Sequence, residues 1–356
     1  MAHPKLRDRD AIVTKEGLIF RVYGYSHPSN TYICDPEYSP ATLFTSTNPR
    51  KAIRAKGQEG YYKFYEDEGL RFIQEKYPRY LIKHKPLEKN LVGVSSRDIS
   101  EVRKTDETFQ RLIEKKPTDE LLEALHQVFQ TIAASSSLSQ KDFGVFGSIL
   151  HGFYHPKFSD LDFVIYGKQE LEKLGQTLSD LYKKKMFLRN EFENTKCIEG
   201  KRWKFLNYSP KEFVWHQKRK MIYALFNDKK SKRVIKTEFE PVKKWEEIHN
   251  EYDPNAQIIG RGWIKAVARV TDDSEAPFMP AIYQIEPMKI LDGAKKEKIQ
   301  RIQSFVEEFR MQAKKDEEVY VEGNLEEVIN SKQTFRQITL TYCPRYYEQV
   351  MKVLKP

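Results

Sequence analysis

The sequence predicts an α+β protein of more than one domain, on three observations. Its 356 residues exceed what a single hydrophobic core usually covers. The middle third alternates helix-like and strand-like periodicities. Both ends consist mainly of β-branched and aromatic runs, which are typical of strands. We therefore expect an N-terminal α/β domain, a central domain of alternating helices and strands, and a C-terminal β-rich domain, at residues 1–115, 116–248 and 249–356.

The composition is typical of a folded protein that is not embedded in a membrane. Hydrophobic residues make up 39% of the chain, charged residues 31%, and the mean hydropathy is -0.69. No apolar run is long enough for a membrane helix, and Met1–Arg9 is charged where a secretory signal would be apolar. We expect a cytoplasmic location and no membrane partner. The three cysteines lie far apart and are expected to be small buried residues: Cys34, Cys197 and Cys343.

The N-terminal region begins with a predicted hairpin. Residues 11–25 contain two β-branched and aromatic runs around a Lys-Glu-Gly turn. Residues 31–34 predict a further strand. The aromatic segment 61–73 has a spacing that is loosely helical, and we interpret its rings as core residues rather than as a base-stacking platform.

The central region alternates helices and strands. Residues 117–132 predict a helix with Thr118 as the cap and a continuous apolar face. A short strand is predicted at 142–146 and an apolar strand at 161–166. A second helix follows, because Leu171, Leu174, Leu178 and Leu181 recur on one side.

The C-terminal region is predicted to be a small β-barrel. Strand-like runs lie at residues 262–270, 281–285, 318–321 and 336–340. One amphipathic helix is predicted between them at residues 295–314, from the spacing of Ile299, Ile302, Phe305, Val306 and Phe309.

The residues most suggestive of chemistry lie in the central region. Gly147 permits a tight turn after the first strand, and the amide and hydroxyl of Ser148 are suited to a phosphate group. Asp160 and Asp162 are two residues apart at the start of the next strand, so their carboxylates project from one face. Two carboxylates about 4 Å apart repel by roughly 4 kcal/mol at an effective dielectric constant of 20. Magnesium relieves such repulsion and accepts oxygen ligands.

This combination resembles the nucleotidyltransferase superfamily with the DNA polymerase β-like catalytic fold. The signature of that family is Gly-Ser, a short helix and then Asp-x-Asp on the next strand, which Gly147-Ser148 and Asp160-Leu-Asp162 match. The resemblance covers roughly residues 138–245 and implies a mixed sheet with helices. A structural alternative stays open, in which Asp160 caps a turn and Asp162 is solvated at a strand end.

The resemblance also implies an activity and its cofactors. Two Mg²⁺ or Mn²⁺ ions would be held by Asp160, Asp162 and a third carboxylate, for which Glu238 is favoured over Glu240 because Pro241 is expected to end the strand. Gly147, Ser148 and Ser159 would bind the nucleoside triphosphate, ATP being one such substrate. The reaction implied is transfer of a nucleoside monophosphate to an acceptor hydroxyl, with release of pyrophosphate.

Two features depart from the usual pattern of the family. His151 occupies a position often taken by arginine, and the link from Ser148 to Asp160 is about one residue longer than usual. Both leave the metal ligands in place, but they bear on how the triphosphate is bound. No partner for His151, His155 or His216 is visible in the sequence.

The charge favours a nucleic-acid acceptor, with RNA favoured over DNA. The net charge is +10, and basic clusters at 183–185, 201–202, 218–220 and 229–233 flank the motif. Two alternatives remain: transfer to a protein or small molecule, and a non-catalytic nucleic-acid-binding protein on a vestigial transferase fold. The sequence specifies neither the base nor the oligomeric state.

Overall fold

The computed structural model describes residues 4–56, 59–184, 187–198, 204–293, 299–342 and 345–354. The N-terminal region combines a β-sheet with two helices. Its strands are β1 (Ala11–Thr14), β2 (Ile19–Val22), β3 (Thr31–Pro40), β4 (Ile53–Lys56), β5 (Glu59–Lys63), β6 (Leu81–His84), β7 (Lys89–Ser95) and β8 (Ile99–Arg103). Its helices are α1 (Glu68–Lys76) and α2 (Thr105–Glu114). The strand order is β4-β5-β3-β2-β1-β8, and β7 pairs with β3 and β6.

The predicted hairpin is confirmed, whereas the aromatic segment is only partly helical. Strands β1 and β2 are antiparallel, with Ile12 opposite Phe20. The strand predicted at 31–34 is present and continues to Pro40. Residues 61–63 belong to β5, and the helix begins only at Glu68. The helical prediction is wrong for residues 61–63 because Tyr61 and Tyr62 pair with β4 on one side and with β3 on the other, which their spacing does not reveal.

The central region has the predicted order of strand, turn, helix, strand and helix. Its elements are α3 (Glu120–Ala134), β9 (Phe143–Val145), α4 (Gly147–His151), β10 (Leu161–Tyr166), α5 (Lys168–Lys184), β11 (Leu188–Asn190), α6 (Pro210–Arg219), β12 (Tyr223–Asp228) and β13 (Arg233–Val242). Strand β10 pairs antiparallel with β9 and parallel with β13. Strand β11 pairs antiparallel with β12.

Helix α3 forms where its apolar face was predicted, but its cap is one residue later. The carboxylate of Asp119 accepts hydrogen bonds from the amides of Leu121 and Leu122, each at 3.0 Å. Thr118 was the predicted cap, and this was wrong because Asp119 has the extended backbone and the acceptor that the first turn requires. The face that carries Leu125 and Val128 is fully buried.

The C-terminal region is a sheet whose pairings return to their starting strand. Its strands are β14 (Gln257–Glu275), β15 (Ala281–Asp292), β16 (Ile299–Ser304), β17 (Glu318–Ile329), β18 (Thr334–Leu340) and β19 (Val350–Val353). The order is β14-β15-β16-β18-β17-β19, and β17 also pairs with β14. Buried residues from these strands, among them Ile264, Tyr283 and Ile302, form one hydrophobic cluster.

The helix predicted at 295–314 is wrong. Residues 294–298 lie outside the described ranges, Ile299–Ser304 is strand β16, and Glu307–Phe309 is a single 3₁₀ turn. The apolar residues do recur at helical spacing, but β16 pairs with β15 on one side and β18 on the other. Those tertiary hydrogen bonds override the local periodicity.

By its contacts, the chain divides into two compact units. The first comprises Met1–His84, Glu88–Lys173 and Asn227–Tyr252. The second comprises Lys85–Leu87, Leu174–Phe226 and Asp253–Pro356. The three sequence domains are not tested by this division and stay a prediction.

The charged N-terminal segment is buried inside the first unit. Arg7, Asp8, Arg9 and Asp10 are each no more than 4% exposed. Arg9 forms an ion pair with Glu240 of β13 at 3.0 Å, and the guanidinium of Arg7 lies 3.6 Å from the ring centre of Tyr166 in β10. Because a buried charge is tolerated only when it is paired, these contacts fix the segment to the central strands.

The cysteine prediction is confirmed at one position and wrong at another. Cys34 is buried, whereas Cys197 is partly exposed because it lies in a short 3₁₀ turn, where its thiol donates to the carbonyl oxygen of Asn194 at 3.0 Å. Cys343 lies outside the described residues. Within the described ranges, no helix is both long and apolar enough to cross a membrane.

Candidate active site

Strand β10 places two aspartates at the edge of the first unit. Its residues Leu161, Phe163, Val164 and Ile165 are fully buried, which fixes the strand in the core. Asp160 immediately precedes the strand and is exposed, whereas Asp162 is partly exposed.

The turn between β9 and α4 lies against Asp162. The amide of Phe146 donates to the carbonyl oxygen of Asp162 at 3.0 Å. Gly147 has a φ of 60°, and a Cβ at this position would lie only 2.5 Å from Oδ2 of Asp162. A side chain at 147 would therefore be both strained and in collision with the carboxylate. Glycine is required here because the turn and the carboxylate approach so closely.

The environment of Asp162 disfavours a negative charge. Burial raises the pKa of Asp162 to about 7, and the charge of Asp160 adds to the effect. Glu240 and Glu37 act in the same direction, while the ammonium of Lys63 opposes them. The charge of Asp162 is thus not fully compensated by the surrounding cations.

The two candidates for a third carboxylate are in different environments. Glu238 lies directly beside Asp162 in the parallel pairing of β10 and β13, and it is partly exposed. Glu240 is 2% exposed and paired with Arg9. The expectation that Pro241 ends the strand is wrong, since β13 continues to Val242. Proline lacks an amide hydrogen, but its backbone angles are compatible with an extended chain.

The two serines predicted to bind the nucleotide, Ser148 and Ser159, differ in burial and in hydrogen-bond partners. Ser148 is partly exposed in the first turn of α4, and its carbonyl oxygen accepts the amide of Phe153 at 2.9 Å. Ser159 is buried, and its hydroxyl accepts the amide of His155 at 2.8 Å. Its carbonyl oxygen accepts a bond from Arg233 at 2.6 Å. Ser159 therefore holds the loop that precedes Asp160.

The histidines have partners that the sequence did not reveal. Nδ1 of His151 accepts from Arg103 at 3.1 Å, so Nε2 carries the proton and faces Glu37 at 3.2 Å. Burial alone would raise the pKa of Glu37, but the bond and charge of His151, together with the charges of Lys63 and Arg9, hold that pKa below its usual value. His216 is buried in the second unit, and burial lowers its pKa to about 4. His155 accepts the amide of Lys157 through Nδ1 at 3.1 Å.

Several residues near the carboxylates come from the N-terminal region. Four side chains act on the site through the contacts given above: Arg9, Glu37, Lys63 and Arg103. No local sequence pattern connects them to the motif, because they lie more than forty residues from it. Sequence reasoning missed them for this reason.

Part of the predicted basic surface has structural partners. Lys220 is buried and donates to the carbonyl oxygen of Glu308 at 2.8 Å. Arg219 pairs with Glu317 at 2.6 Å, and Arg233 binds the loop of Ser159. The aromatic residues that lie between these basic segments in the sequence pack against hydrophobic core clusters: Phe205, Trp215 and Tyr223. Lys185, Lys201, Arg202 and Trp203 lie outside the described residues.

The carboxylates do not form a complete metal cage by themselves. Among the described residues, no three His, Cys, Asp or Glu side chains come together closely enough to hold a metal ion. Magnesium in nucleotide-dependent sites is typically bound by one or two carboxylates and completed by substrate phosphates and water. The pair Asp160 and Asp162 fits that incomplete donor set.

Among the comparisons with known proteins, one assigns a domain to the central region. The family model described as "Nucleotidyltransferase domain" matches residues 128–244, which contain Gly147, Ser148 and both aspartates. An uncharacterized protein of Methanocaldococcus jannaschii is 26% identical over 351 residues, covering 98% of this chain and 99% of its own length. No solved structure matches the chain significantly.

The close approach of Gly147 and Asp162 predicts the result of a paired substitution. Gly152 has a similar φ of 71° but nothing within 4 Å of its would-be Cβ. We expect Gly152→Ala to lower the free energy of unfolding by about 1 kcal/mol, from backbone strain alone. Gly147→Ala should cost roughly 2 kcal/mol or more, because the carboxylate must also move. Urea unfolding of both variants measures the difference, and equal losses would contradict the geometry.

Proposed function

We propose that this chain, which carries a nucleotidyltransferase domain at residues 128–244, transfers a nucleoside monophosphate from an NTP to the 3′ hydroxyl of a nucleic acid and releases pyrophosphate. The observation that carries the proposal is the carboxylate of Asp162 seated against the Gly147-Ser148 turn, with Asp160 two residues away. This arrangement joins a turn suited to phosphates to a pair of acidic oxygens.

Magnesium or manganese is the cofactor that this site would use. Asp160 and Asp162 provide oxygen donors, and the raised pKa of Asp162 reflects like charges that a divalent cation would relieve. In such sites the ions neutralise phosphate charge and activate the attacking hydroxyl. We propose two ions, held by Asp160 and Asp162 with help from a third carboxylate.

The roles of the protein groups follow from their positions. The hydroxyl and amide of Ser148 would donate hydrogen bonds to phosphate oxygens, and Gly147 allows the backbone to approach them. Asp160 and Asp162 would hold the divalent ions, whose charge would let the α-phosphate lie beside these carboxylates for in-line attack. The acceptor hydroxyl would lose its proton to water as its oxygen bonds to the α-phosphorus, the bond to the bridging oxygen would break, and pyrophosphate would depart with the electron pair. Ser159, with its hydroxyl bonded to His155, would fix the backbone before Asp160 rather than bind the nucleotide itself.

Glu238 is the third carboxylate in this proposal. Neighbouring parallel strands lie about 4.8 Å apart, so the lateral pairing puts Glu238 on the same face as Asp162. Glu240 is on that face too, but its buried ion pair with Arg9 ties it to the protein. A carboxylate engaged in this way is a poorer ligand, since binding an ion would leave Arg9 without that partner.

The C-terminal strands support a nucleic acid as the acceptor. The pairing order β14-β15-β16-β18-β17 and back to β14, with β16 parallel to β18, is the strand order of the oligonucleotide-binding barrel. We take this ring of pairings to be the small barrel that the sequence predicts. This support is an analogy at the level of the fold.

The distribution of charge refines the picture of the acceptor. Basic and acidic residues balance in residues 253–356, so the whole positive excess lies in residues 1–252. On the barrel, Arg261, Arg269 and Arg336 each pair with a glutamate. Long-range attraction of a polyanion would therefore come from the first 252 residues, and the barrel would contribute contacts to bases or sugars. RNA is favoured over DNA on the sequence argument alone.

An assay with labelled nucleotides tests the transfer directly. The protein is incubated with each α-labelled NTP, Mg²⁺ or Mn²⁺, and RNA, single-stranded DNA or protein as acceptor. We expect label on RNA from the wild type and none from the Asp160→Ala/Asp162→Ala variant. Label on protein alone would favour the alternative hypothesis that the nucleotide is transferred to a protein. If the wild type labels no acceptor and the variant binds RNA as the wild type does, the hypothesis of a non-catalytic nucleic-acid-binding protein is favoured.

The same assay separates the two glutamates. Glu238→Gln should lower kcat on the order of 100-fold, because the variant loses a charged ligand beside Asp162. Glu240→Gln is the matched control on the same strand face, and its main effect should be lower stability from the disrupted pair with Arg9. Both variants are assayed at a temperature where circular dichroism shows them folded. A larger loss of kcat in Glu240→Gln than in Glu238→Gln would reverse the assignment.

A further inference from the structure

The N-terminal sheet packs against α4, the short helix that begins at the Gly147-Ser148 turn of the candidate active site. Tyr38 of β3 and Tyr61 of β5 share a buried cluster with Leu150 of α4 and with Phe153, which follows that helix. The rings of Tyr61 and Phe153 are stacked, with their centres 4.5 Å apart. This sheet therefore borders α4 within the same compact unit.

Hydrogen bonds fix the position of α4 relative to the N-terminal sheet. His151, the last residue of α4, is held between Glu37 of β3 and Arg103 of β8, at 3.2 Å and 3.1 Å. The His151 side chain is 0% exposed. A buried and fully bonded imidazole defines one position of α4 relative to the sheet. The side chains at the end of β5 consequently have a defined place relative to the Gly147-Ser148 turn.

Lys63 is the last residue of β5, on the face of the sheet that meets α4. It is the direct cross-strand neighbour of Tyr38, and it lies two residues after Tyr61. Paired residues and residues two apart lie on one face of a sheet, so Lys63 shares the face of these two tyrosines. Its side chain is nonetheless exposed, because it is at the strand end.

The charge of Lys63 acts on the carboxylates of the site. Its position on that face brings its ammonium group close enough for a charge interaction with Asp162 and with Glu37. Within the part of the chain that the structure describes, no carboxylate lies within ion-pair distance of its Nζ. An exposed ammonium near acidic groups, without a direct ion pair, is available to an anionic ligand.

We propose that Lys63 binds the β- and γ-phosphates of the NTP, so that the N-terminal sheet completes the nucleotide site. The inference rests on the proposed function and names a residue that lies outside residues 128–244. As the acceptor oxygen bonds to the α-phosphorus, the bond to the bridging oxygen breaks and its electron pair goes to pyrophosphate. The ammonium of Lys63 stabilises that increase in negative charge. This role would also account for His151 at a position often taken by arginine, because Lys63 would supply the positive charge from the N-terminal sheet.

A structural role for Lys63 makes a different prediction. If its charge only offset the repulsion between Asp162 and Glu37, its loss would affect ligands with one phosphate and with three alike. A triphosphate contact depends on the number of phosphates. A third outcome is that Lys63 binds the phosphate backbone of the acceptor strand instead, which a separate RNA-binding measurement detects.

Calorimetric titration of the full chain with a non-hydrolysable NTP analogue and with the matching NMP, both with Mg²⁺, tests the proposal. We expect Lys63→Ala to weaken NTP binding about tenfold or more and to change NMP and RNA binding less than about twofold. Lys63→Arg should retain most of the affinity because it keeps the charge. Lys89→Ala is the control, since Lys89 is an exposed lysine on strand β7 of the same sheet.

The outcomes separate this inference from the proposed function. Equal weakening of NTP and NMP by Lys63→Ala, or no weakening beyond that of Lys89→Ala, overturns the role of Lys63 while leaving nucleotide binding intact. Weaker binding of RNA alone assigns Lys63 to the acceptor and also overturns it. A wild type that binds no nucleotide with Mg²⁺ overturns the proposed function itself.

Discussion

The repulsion between closely spaced carboxylates is the constraint on which this candidate active site depends. Asp162 is held against a glycine turn that leaves no room for another side chain, and burial together with Asp160 raises its pKa to about 7. The fold keeps this unfavourable charge because β10 is anchored by a fully buried apolar face. Under the proposed function, a bound divalent cation would offset this repulsion beside the Gly147-Ser148 turn.

The N-terminal region is a structural part of the site rather than a separate appendage. Its charged residues 7–10 are buried, Arg7 against Tyr166 of β10 and Arg9 against Glu240 of β13, so that Arg9 neutralises one of the two candidate glutamates. Its sheet holds α4 through Glu37 and His151 and places Lys63 near Asp162. In the function proposed above, the nucleotide site would therefore be built from segments far apart in sequence.

The sequence predicted what local patterns determine. The Gly-Ser turn, strand β10 and the helices on either side follow from residue spacing, and the match to the nucleotidyltransferase domain agrees with them. Strand β16 was mistaken for a helix because its neighbours β15 and β18 are distant in sequence. The partners of His151 and Glu240 were missed for the same reason, since an isolated Glu37 or Arg9 resembles any solvated charge. Long-range pairing, rather than propensity, decided each of these cases.

The most direct test of the account is anomalous diffraction from crystals grown with Mn²⁺ and a non-hydrolysable NTP analogue. The account predicts two manganese peaks about 3.5–4 Å apart, both within ligand distance of the Asp160 and Asp162 carboxylates, with the triphosphate against the Gly147-Ser148 turn. A single peak elsewhere, or a nucleotide bound with these two carboxylates turned away from it, would contradict the central claim.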